Sequence, residues 1–426
     1  PLGRVDIDND FQSISATRLR ESIFDELGLK LLAAQGGGGR DADWTDVQAG
    51  LRRHYLPAGR GALPRESLPP NLPVSVVVAT LDRPDDLREC LTCLRDQDTP
   101  RPVEIVVVDN NPSSGLTPQA VAKFPGVVLV SEPRQGLAYA RNAGFVACTG
   151  EIAIATDDDV RMCPGWLEVL VAPFVRNDVM IVTGNVFPVE LETSAQRHFE
   201  QYGGLGRGFE PLEADASWFQ RFRRRAVPTW QLGATANAAF RVSIFDHPEI
   251  GLMDEALGPG MPSGVGEDTY LFYKVLKAGY TLVYKPAAYV WHKHRREQRA
   301  LHRQIFNYSK GHVAYHLTTM LRDGDMRALP HLLFHLPRWR LGQIRRRLSR
   351  GLRGREAQYT WRLIGLEILG NLLGPWALWR SRRRVRREGQ SQPFIPVSLR
   401  SASEQRFALE DEDPLPTEES QTAVGI

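Results

Sequence analysis

The sequence of 426 residues predicts an α/β fold, in which a mostly parallel sheet is flanked by helices on both faces. Between residues 74 and 155, apolar runs rich in Val and Ile alternate with helical segments. Such runs are typical of parallel strands, because these strands are buried on both faces. Polar clusters follow three of the runs, at the edge of the sheet where ligands bind in folds of this class.

The individual elements follow from these patterns. The apolar runs predict four strands, at residues 74–79, 104–108, 127–130 and 151–155. The intervening segments predict three helices, at residues 86–95, 119–123 and 137–147. Further along the chain, the pattern predicts helices at residues 166–174 and 268–278, strands at 179–183 and 281–284, and an irregular Gly- and Arg-rich stretch at 203–228.

These elements divide the chain into four parts. Residues 1–70 form a small N-terminal α/β accessory unit that ends in a Pro-rich linker, and residues 71–298 hold the predicted sheet. Residues 299–390 form a helical C-terminal extension. Residues 391–426 are rich in Ser, Pro and Glu and are expected to be a disordered tail.

Composition and charge narrow the class of protein. The chain has 42% hydrophobic and 24% charged residues, which excludes a wholly disordered or collagen-like protein. It has 53 Lys and Arg against 50 Asp and Glu, and the net charge of +3 gives no support for a nucleic-acid partner. Four cysteines are too few for a disulfide framework, so we expect a reducing, cytoplasmic location.

Three adjacent carboxylates, Asp157, Asp158 and Asp159, follow the fourth predicted strand. They are costly to keep ionised together, and extended backbone points Asp157 and Asp159 to the same side. A divalent cation, Mn²⁺ or Mg²⁺, would relieve the repulsion and leave room for phosphate oxygens. The alternative is a solvated acidic turn, but the position at the carboxyl end of a buried strand favours the metal site.

A second acidic pair, Glu267 and Asp268, opens a predicted helix. Asp268 could be a helix N-cap, worth roughly 1 kcal/mol, with Glu267 favourable to the helix dipole. The other interpretation is a carboxylate general base, which is needed wherever a hydroxyl loses its proton while it attacks carbon. This segment alone leaves both open.

Basic side chains could complete such a site. His292 and His294 alternate, so extended backbone places both on one side, where they suit a phosphate or a shared metal. Two surface histidines in a basic turn are the equal alternative. Arg141, on the third predicted helix, could point to a phosphate or form a surface ion pair.

The helical extension carries Arg-rich stretches at residues 338–353 and 380–387, on either side of an apolar helix with several Trp. This pattern suits a helix on an anionic membrane surface, and also a helix packed on the central domain with its Arg side chains solvated. We expect peripheral contact with the inner face of a membrane. The apolar stretch at 368–379 is shorter than the ~20 residues of a spanning helix.

Taken together, these motifs resemble those of the family 2 glycosyltransferases, which are inverting enzymes that use nucleotide sugars and have a GT-A fold with a Rossmann-like sheet. The resemblance lies between residues 73 and 297. The matching segments, in order, are residues 74–84, 106–110, 136–144, 157–160, 233–241 and 266–268.

The resemblance implies a role for each motif. Nucleotide binding is implied for Thr80, Arg83, Asp109, Arg141, Asp157 and Asp158. Gly233, Asn237 and Trp230 are implied to line the donor-sugar and acceptor side. The implied metal ligands are Asp159 and His292, with His294 as the alternative to His292. The implied catalytic residues are Asp268, as the base, and Glu267, as its acidic neighbour.

The implied activity is the transfer of one sugar from a nucleotide diphosphate sugar, by default a UDP-sugar, to a carbohydrate or lipid-linked acceptor with Mn²⁺ or Mg²⁺. Residues 304–308 do not match the Q-x-x-R-W motif of processive members, so we expect single-sugar transfer. A sugar nucleotidylyltransferase is disfavoured because residues 80–84 contain no Gly-rich basic loop. A catalytically silent GT-A-fold scaffold or lectin-like module at a membrane surface is the non-enzyme alternative.

Overall fold

The computed structural model describes residues 68–352 and 360–400, together with Ile23, Leu27 and Gly28 as helical positions. The predicted N-terminal accessory unit therefore lies almost wholly outside the described residues. The same holds for residues 401–426 of the predicted tail.

Nine strands form one sheet within the described residues. They are β1 (Val74–Thr80), β2 (Val103–Asp109), β3 (Val127–Ser131), β4 (Ile152–Asp157), β5 (Val160–Met162), β6 (Val179–Pro188), β7 (Leu212–Ala214), β8 (Asn237–Arg241) and β9 (Thr281–His292). Their order across the sheet is β3-β2-β1-β4-β8-β6-β9-β5, and β7 pairs with the other end of β9.

The strand register brings the predicted polar clusters together. In the parallel half of the sheet, Thr80 at the end of β1 is opposite Asp109 at the end of β2. On the other side of β1, Ala79 is opposite Asp157 at the end of β4. Val160 at the start of β5 is opposite His292 at the end of β9. Residues distant in sequence therefore meet at one edge of the sheet, as expected for parallel strands.

Helices cover both faces of the sheet and build the C-terminal region. The described helices longer than one turn are α1 (Pro84–Arg95), α2 (Leu116–Val121), α3 (Leu137–Ala147), α4 (Trp166–Val171), α5 (Ser194–Tyr202), α6 (Ala216–Gln220), α7 (Glu267–Lys277), α8 (Gln298–Asp323), α9 (Leu336–Leu352) and α10 (Trp361–Glu388). A π-helical turn, His331–His335, leads into α9.

The continuous apolar character of β1 follows from burial on both faces. Val76 and Val78 pack into one core cluster with Leu87 of α1, whereas Val77 packs into a second cluster with Phe145 of α3. Helix α3 approaches β1 closely at Gly144, where a Cβ atom would lie only 2.3 Å from the Val77 side chain. Both faces therefore need apolar side chains, which is why alternation is absent from the sequence.

The C-terminal helices pack on the α/β domain along one side. Leu378 and Val385 of α10 share a core cluster with Tyr270 of α7 and Tyr315 of α8. No helix among the described residues is long and apolar enough to cross a membrane.

The predicted α/β class and helical extension are confirmed. Four of the strand pairings among the described residues are parallel and four are antiparallel, so the second half of the sheet is more mixed than the apolar runs predict. The predicted disordered tail begins too early at residue 391. Phe394 is 5% exposed and lies 5.9 Å from Phe245, and Arg400 donates to the carbonyl oxygens of Val146 and Cys148. These contacts hold residues 391–400 against the domain.

Candidate active site

The two outer carboxylates of the acidic triplet face a common point. Asp157 ends β4, and the turn into β5 carries Asp158 and Asp159. One ligand atom each from Asp157, Asp159 and His292 lie within 4.8 Å of one another. Two carboxylates and one imidazole can together hold a divalent cation that accepts oxygen and nitrogen ligands, such as Mn²⁺. The residues present therefore fit the metal that the sequence predicts.

Asp158 points away from this group, as the alternation of the backbone requires. It is 6% exposed, and its carboxylate accepts hydrogen bonds from the Thr80 hydroxyl at 2.7 Å and from Arg83 at 3.3 Å. Burial and the neighbouring Asp159 raise the pKa of Asp158 to about 7. The Thr80 and Asp158 side chains bind each other in this structure, and their nucleotide-binding role stays a prediction.

Arg83 bridges the triplet from the turn after β1. Its Nη1 donates to Asp159 Oδ2 at 2.5 Å, and 36% of its side chain is exposed. Burial opposes ionisation of Asp159, but His292 and Arg83 outweigh it and lower the pKa of Asp159. Asp159 is therefore held as an anion that can bind a cation, and Arg83 is a half-buried cation beside it.

His292 and His294 form a relay rather than two equivalent candidates. The Nε2 atom of His292 lies 3.3 Å from Asp159 Oδ1, and its Nδ1 lies 3.0 Å from Nδ1 of His294. His294 is 5% exposed, and its Nε2 lies 2.6 Å from Glu200 of α5. His292 thus faces the carboxylates, while His294 and Glu200 lie behind it and fix its ring.

Arg141 lies beneath the site and joins its two halves. It is 2% exposed, and its guanidinium donates to Asp157 Oδ1 at 2.7 Å and to Glu267 Oε1 at 3.4 Å. It also bonds the Thr235 hydroxyl. Arg141 is thus a buried cation next to the predicted nucleotide site, and its role in nucleotide binding stays a prediction.

The two acidic residues at the start of α7 differ in burial: Glu267 lies in the interior, and Asp268 lies at the site. Glu267 is 3% exposed, and burial together with Asp268 raises its pKa to about 8. Asp268 is half-buried, and its Oδ1 accepts a hydrogen bond from the Thr269 backbone at 2.6 Å. The N-cap of α7 is Gly266, so the N-cap interpretation of Asp268 is wrong. Asp268 is thus the more accessible carboxylate of the pair.

The end of β2 is occupied by a buried turn. Asp109 is 1% exposed, and its Oδ1 accepts a hydrogen bond from the Asn111 backbone at 3.0 Å. The neighbouring Asn110 donates to the carbonyl oxygens of Glu132 and Arg134 and accepts from Gly136. Asp109 therefore stabilises the turn in this structure, and its nucleotide-binding role stays a prediction.

The three residues predicted on the donor and acceptor side have different surroundings. Gly233 has a φ of +122°, and a Cβ there would lie 2.5 Å from Thr183, so glycine is required. Asn237 is fully buried and bonds Asn185, Ala288 and Trp166, and its predicted place on the donor and acceptor side stays a prediction. Trp230 packs against histidines of the helical region, 5.1 Å from the ring of His312.

Sequence reasoning missed two charged residues. Glu200 lies on a helix that the pattern did not predict, although the capping box formed by Thr193 and Gln196 marks its start. Arg207 comes from the irregular Gly-rich stretch, and burial lowers its pKa while the nearby Tyr308 and Asp268 oppose that shift. Its guanidinium donates to the carbonyl oxygens of Trp230 and Gly206.

The site thus has a carboxylate–imidazole cluster at the strand ends of an α/β sheet, with an accessible carboxylate nearby. These groups suit metal-assisted chemistry on a phosphorylated substrate. Residues 75–247 match the model of the family described as glycosyl transferase family 2. Residues 75–247 are therefore similar to family 2 glycosyltransferases, the family that the sequence motifs resemble, and over these residues the predicted resemblance is confirmed.

Two of the relatives that the chain matches are themselves named glycosyltransferases. The chain is 27% identical over 257 residues to the pre-mycofactocin glycosyltransferase of Mycobacterium tuberculosis, which covers 60% of this chain and 50% of that protein. It is 29% identical over 119 residues to glycosyltransferase AglE of Haloferax volcanii, covering 26% of this chain and 39% of that protein. The chain thus spans half or less of the length of these relatives.

Among solved structures, a mannosyltransferase from Pyrobaculum calidifontis in complex with GDP-Man and Mn²⁺ is similar with a TM-score of 0.42 and 19% identity. The similarity covers 91% of this chain and 92% of that one.

Proposed function

We propose that the chain is a metal-dependent, inverting glycosyltransferase that moves one sugar from a nucleotide diphosphate sugar to an acceptor hydroxyl. The observation that carries the proposal is the continuous link from the metal-binding group to the predicted base. Asp157 of that group pairs with Arg141, and Arg141 pairs with Glu267, the residue before Asp268. Two chemical functions are thereby held at a fixed separation, as group transfer requires.

Asp157, Asp159 and His292 act on the leaving group, because they would hold the metal ion that contacts the diphosphate. A divalent cation bound there would supply positive charge to the diphosphate as negative charge develops on it. Asp159 is held anionic by Arg83 and His292, and the His294–Glu200 pair orients the His292 ring. Arg83 is the half-buried cation beside these ligands, and we assign it to the diphosphate.

The acceptor side belongs to Asp268. A carboxylate in this position accepts the proton of the acceptor hydroxyl as the oxygen attacks the anomeric carbon, and the diphosphate leaves from the opposite face. Attack opposite to departure inverts the configuration. Glu267 is the less suitable base because it is buried against Arg141. Proton transfer to a positioned base contributes typically ~10²–10⁴-fold to the rate.

The donor is tested with a thermal-shift panel of UDP, GDP, dTDP and their sugars, each with and without Mn²⁺ or Mg²⁺. A metal-dependent rise in melting temperature for one nucleotide supports the proposal and identifies the base, since a ligand that binds the native state stabilises it. The folded protein giving no shift with any nucleotide would contradict the proposed donor site and favour the silent scaffold.

We also propose that α10 contacts an anionic membrane surface, which would place an enzyme of lipid-linked acceptors at the inner face of the membrane. Leu369, Leu372, Trp376 and Trp379 recur at intervals of three or four residues and are 48–72% exposed, so they share one open face. Arg380 lies over the Trp376 ring and Arg383 over the Trp379 ring. An apolar stripe bordered by Arg is the pattern of a helix that lies on anionic lipid.

Vesicle sedimentation tests this contact. The protein should bind vesicles that contain phosphatidylglycerol more strongly than neutral phosphatidylcholine vesicles, and Leu372→Glu together with Trp376→Glu should weaken that binding. Leu116→Glu, which changes an exposed leucine of α2, is the matched control. Equal binding by the double variant and the wild type would contradict the proposal.

A further inference from the structure

Three histidines converge in the C-terminal helical region, away from the acidic residues of the candidate active site. His312 and His316 are one helical turn apart on α8, and His331 opens the π-helical turn before α9. One ring nitrogen from each lies within 4.8 Å of the others. The rings of His316 and His331 are 4.2 Å apart between centroids, and those of His312 and His316 are 4.6 Å apart.

The cluster is enclosed by protein. The Trp230 ring lies 5.1 to 6.1 Å from the three histidine rings and covers them from the segment before β8. His316 is 1% exposed. Solvent has little access to this ring, so its nitrogens need partners within the protein or a bound ligand.

Hydrogen bonding leaves one of these nitrogens unsatisfied. The Nε2 atoms of His312 and His331 lie 2.9 Å apart, so one of them can donate to the other. The Nε2 atom of His316 is buried and makes no hydrogen bond within the described part of the chain. Buried ring nitrogens ordinarily have a partner, and an orphan of this kind calls for an explanation.

The surroundings of the cluster favour uncharged rings. Burial disfavours the charged form of a histidine, and the neutral imidazole is the form that binds a metal ion. The cation of Arg340 lies nearby, but Glu367 pairs with it and offsets its charge.

We propose that His312, His316 and His331 form a Zn²⁺ site in which three imidazoles bind the ion and one enclosed water molecule completes the fourth position. The 2.9 Å between two of the nitrogens is close to the ~3.3 Å that separates ligands 2.0–2.1 Å from a tetrahedral zinc. Three imidazoles without a carboxylate suit zinc, and do not suit Mg²⁺ or Ca²⁺.

The π-helical turn begins at one of these histidines. Its first residue is His331, which lies against His312 and His316 of α8. Short π-helical segments are often found at functional sites. A bound zinc would fasten the start of α9 to α8, beneath the Trp230 segment, and would stabilise the fold of the helical extension.

The test is a zinc-binding measurement on the full chain after removal of metals with a chelator. Excess Mg²⁺ is kept present to occupy the oxygen-rich group at Asp157 and Asp159. The wild type should retain one equivalent of Zn²⁺ after dialysis and show a higher melting temperature with it. His331→Gln should lose this equivalent. The matched control His335→Gln, which changes the exposed histidine at the other end of the same turn, should retain it.

Wild-type protein that binds no zinc under these conditions, or His331→Gln that binds as much as the wild type, would overturn the proposal. If His331→Gln does not fold, X-ray absorption of zinc-loaded wild-type protein decides the matter. A first shell with three imidazole nitrogens supports the site. A shell of oxygens with one imidazole would assign the zinc to the acidic group instead and overturn the proposal.

Discussion

The molecule contains two clusters of possible metal ligands that differ in their neighbours. In the acidic cluster at the strand ends, Asp157 pairs with Arg141, Asp159 pairs with Arg83, and His292 contacts the His294–Glu200 pair. In the histidine cluster, the three rings contact one another and Trp230. Charged partners suit a hard cation shared with an anionic substrate, whereas neutral buried rings suit a borderline-soft ion that stays bound. The surroundings of the ligands, as well as their types, therefore distinguish the two clusters.

The largest expected effect is a loss of turnover, and it tests whether the residues of the acidic region catalyse the reaction. Asp268→Asn removes the proposed proton acceptor and should lower turnover of the sugar donor by ~10²–10⁴-fold. The metal-dependent thermal shift with the nucleotide should remain, because Asp268 is not a ligand of the metal. Turnover is measured as release of the nucleoside diphosphate. Asp246→Asn, at an exposed position, is the control and should be fully active. Normal turnover by Asp268→Asn would show that another residue is the general base.

A loss of metal affinity is expected when the acidic cluster loses a ligand. Asp159→Asn removes the anion that Arg83 and His292 stabilise, so Mn²⁺ affinity should fall by at least ~10–100-fold, the loss that even residues behind the ligands can cause. Isothermal titration with Mn²⁺ measures it. Asp85→Asn changes a carboxylate that is 92% exposed and should leave the affinity unchanged. Equal affinities in both variants would exclude Asp159 as a ligand.

These two clusters also mark how far the sequence could predict the structure. Asp157, Asp159 and Asp268 could be found because strand ends and a helix start place them, and both signals are local in the sequence. The sequence could not show that Thr80 is turned inward onto Asp158, because this hydrogen bond depends on how β1 and β4 pair. Nor could it show the histidine cluster, since His331 meets His312 and His316 only when the chain reverses between α8 and α9. Contacts between distant segments decide both cases.

The relay behind His292 should have a smaller effect on metal binding. Glu200→Gln keeps a hydrogen-bond partner for His294 but removes the charge, so Mn²⁺ affinity should fall by roughly tenfold, at the low end for residues that orient ligands. Titration with Mn²⁺ again measures the change. Glu192→Gln, whose side chain is 65% exposed, is the control. An unchanged affinity in Glu200→Gln would show that the His292 ring is positioned without the relay.

The last prediction concerns Glu267, a carboxylic acid of the acidic region that resembles the histidine cluster in being buried and mostly uncharged. The pKa of Glu267 is raised from 4.5 to about 8, so the folded protein binds more protons than the unfolded chain between these values. Its contribution to stability is present below pH 4.5 and is lost as the pH rises through 8. Glu267→Gln keeps the shape and cannot ionise, so it should lose less stability than the wild type between pH 5 and pH 8.5.

Urea unfolding at these two pH values measures the difference, which should be on the order of 4 kcal/mol, because the raised pKa spans most of this interval and one pKa unit corresponds to about 1.4 kcal/mol. Groups that do not contact Glu267 titrate equally in both proteins, so the difference reports on this carboxyl. Glu249→Gln, at an exposed site, should follow the wild type at both pH values. If the wild type and Glu267→Gln lose equal stability, Glu267 is ionised against Arg141 at neutral pH. The link between the metal group and the base would then be an ion pair, like the pairs of Asp157 with Arg141 and Asp159 with Arg83.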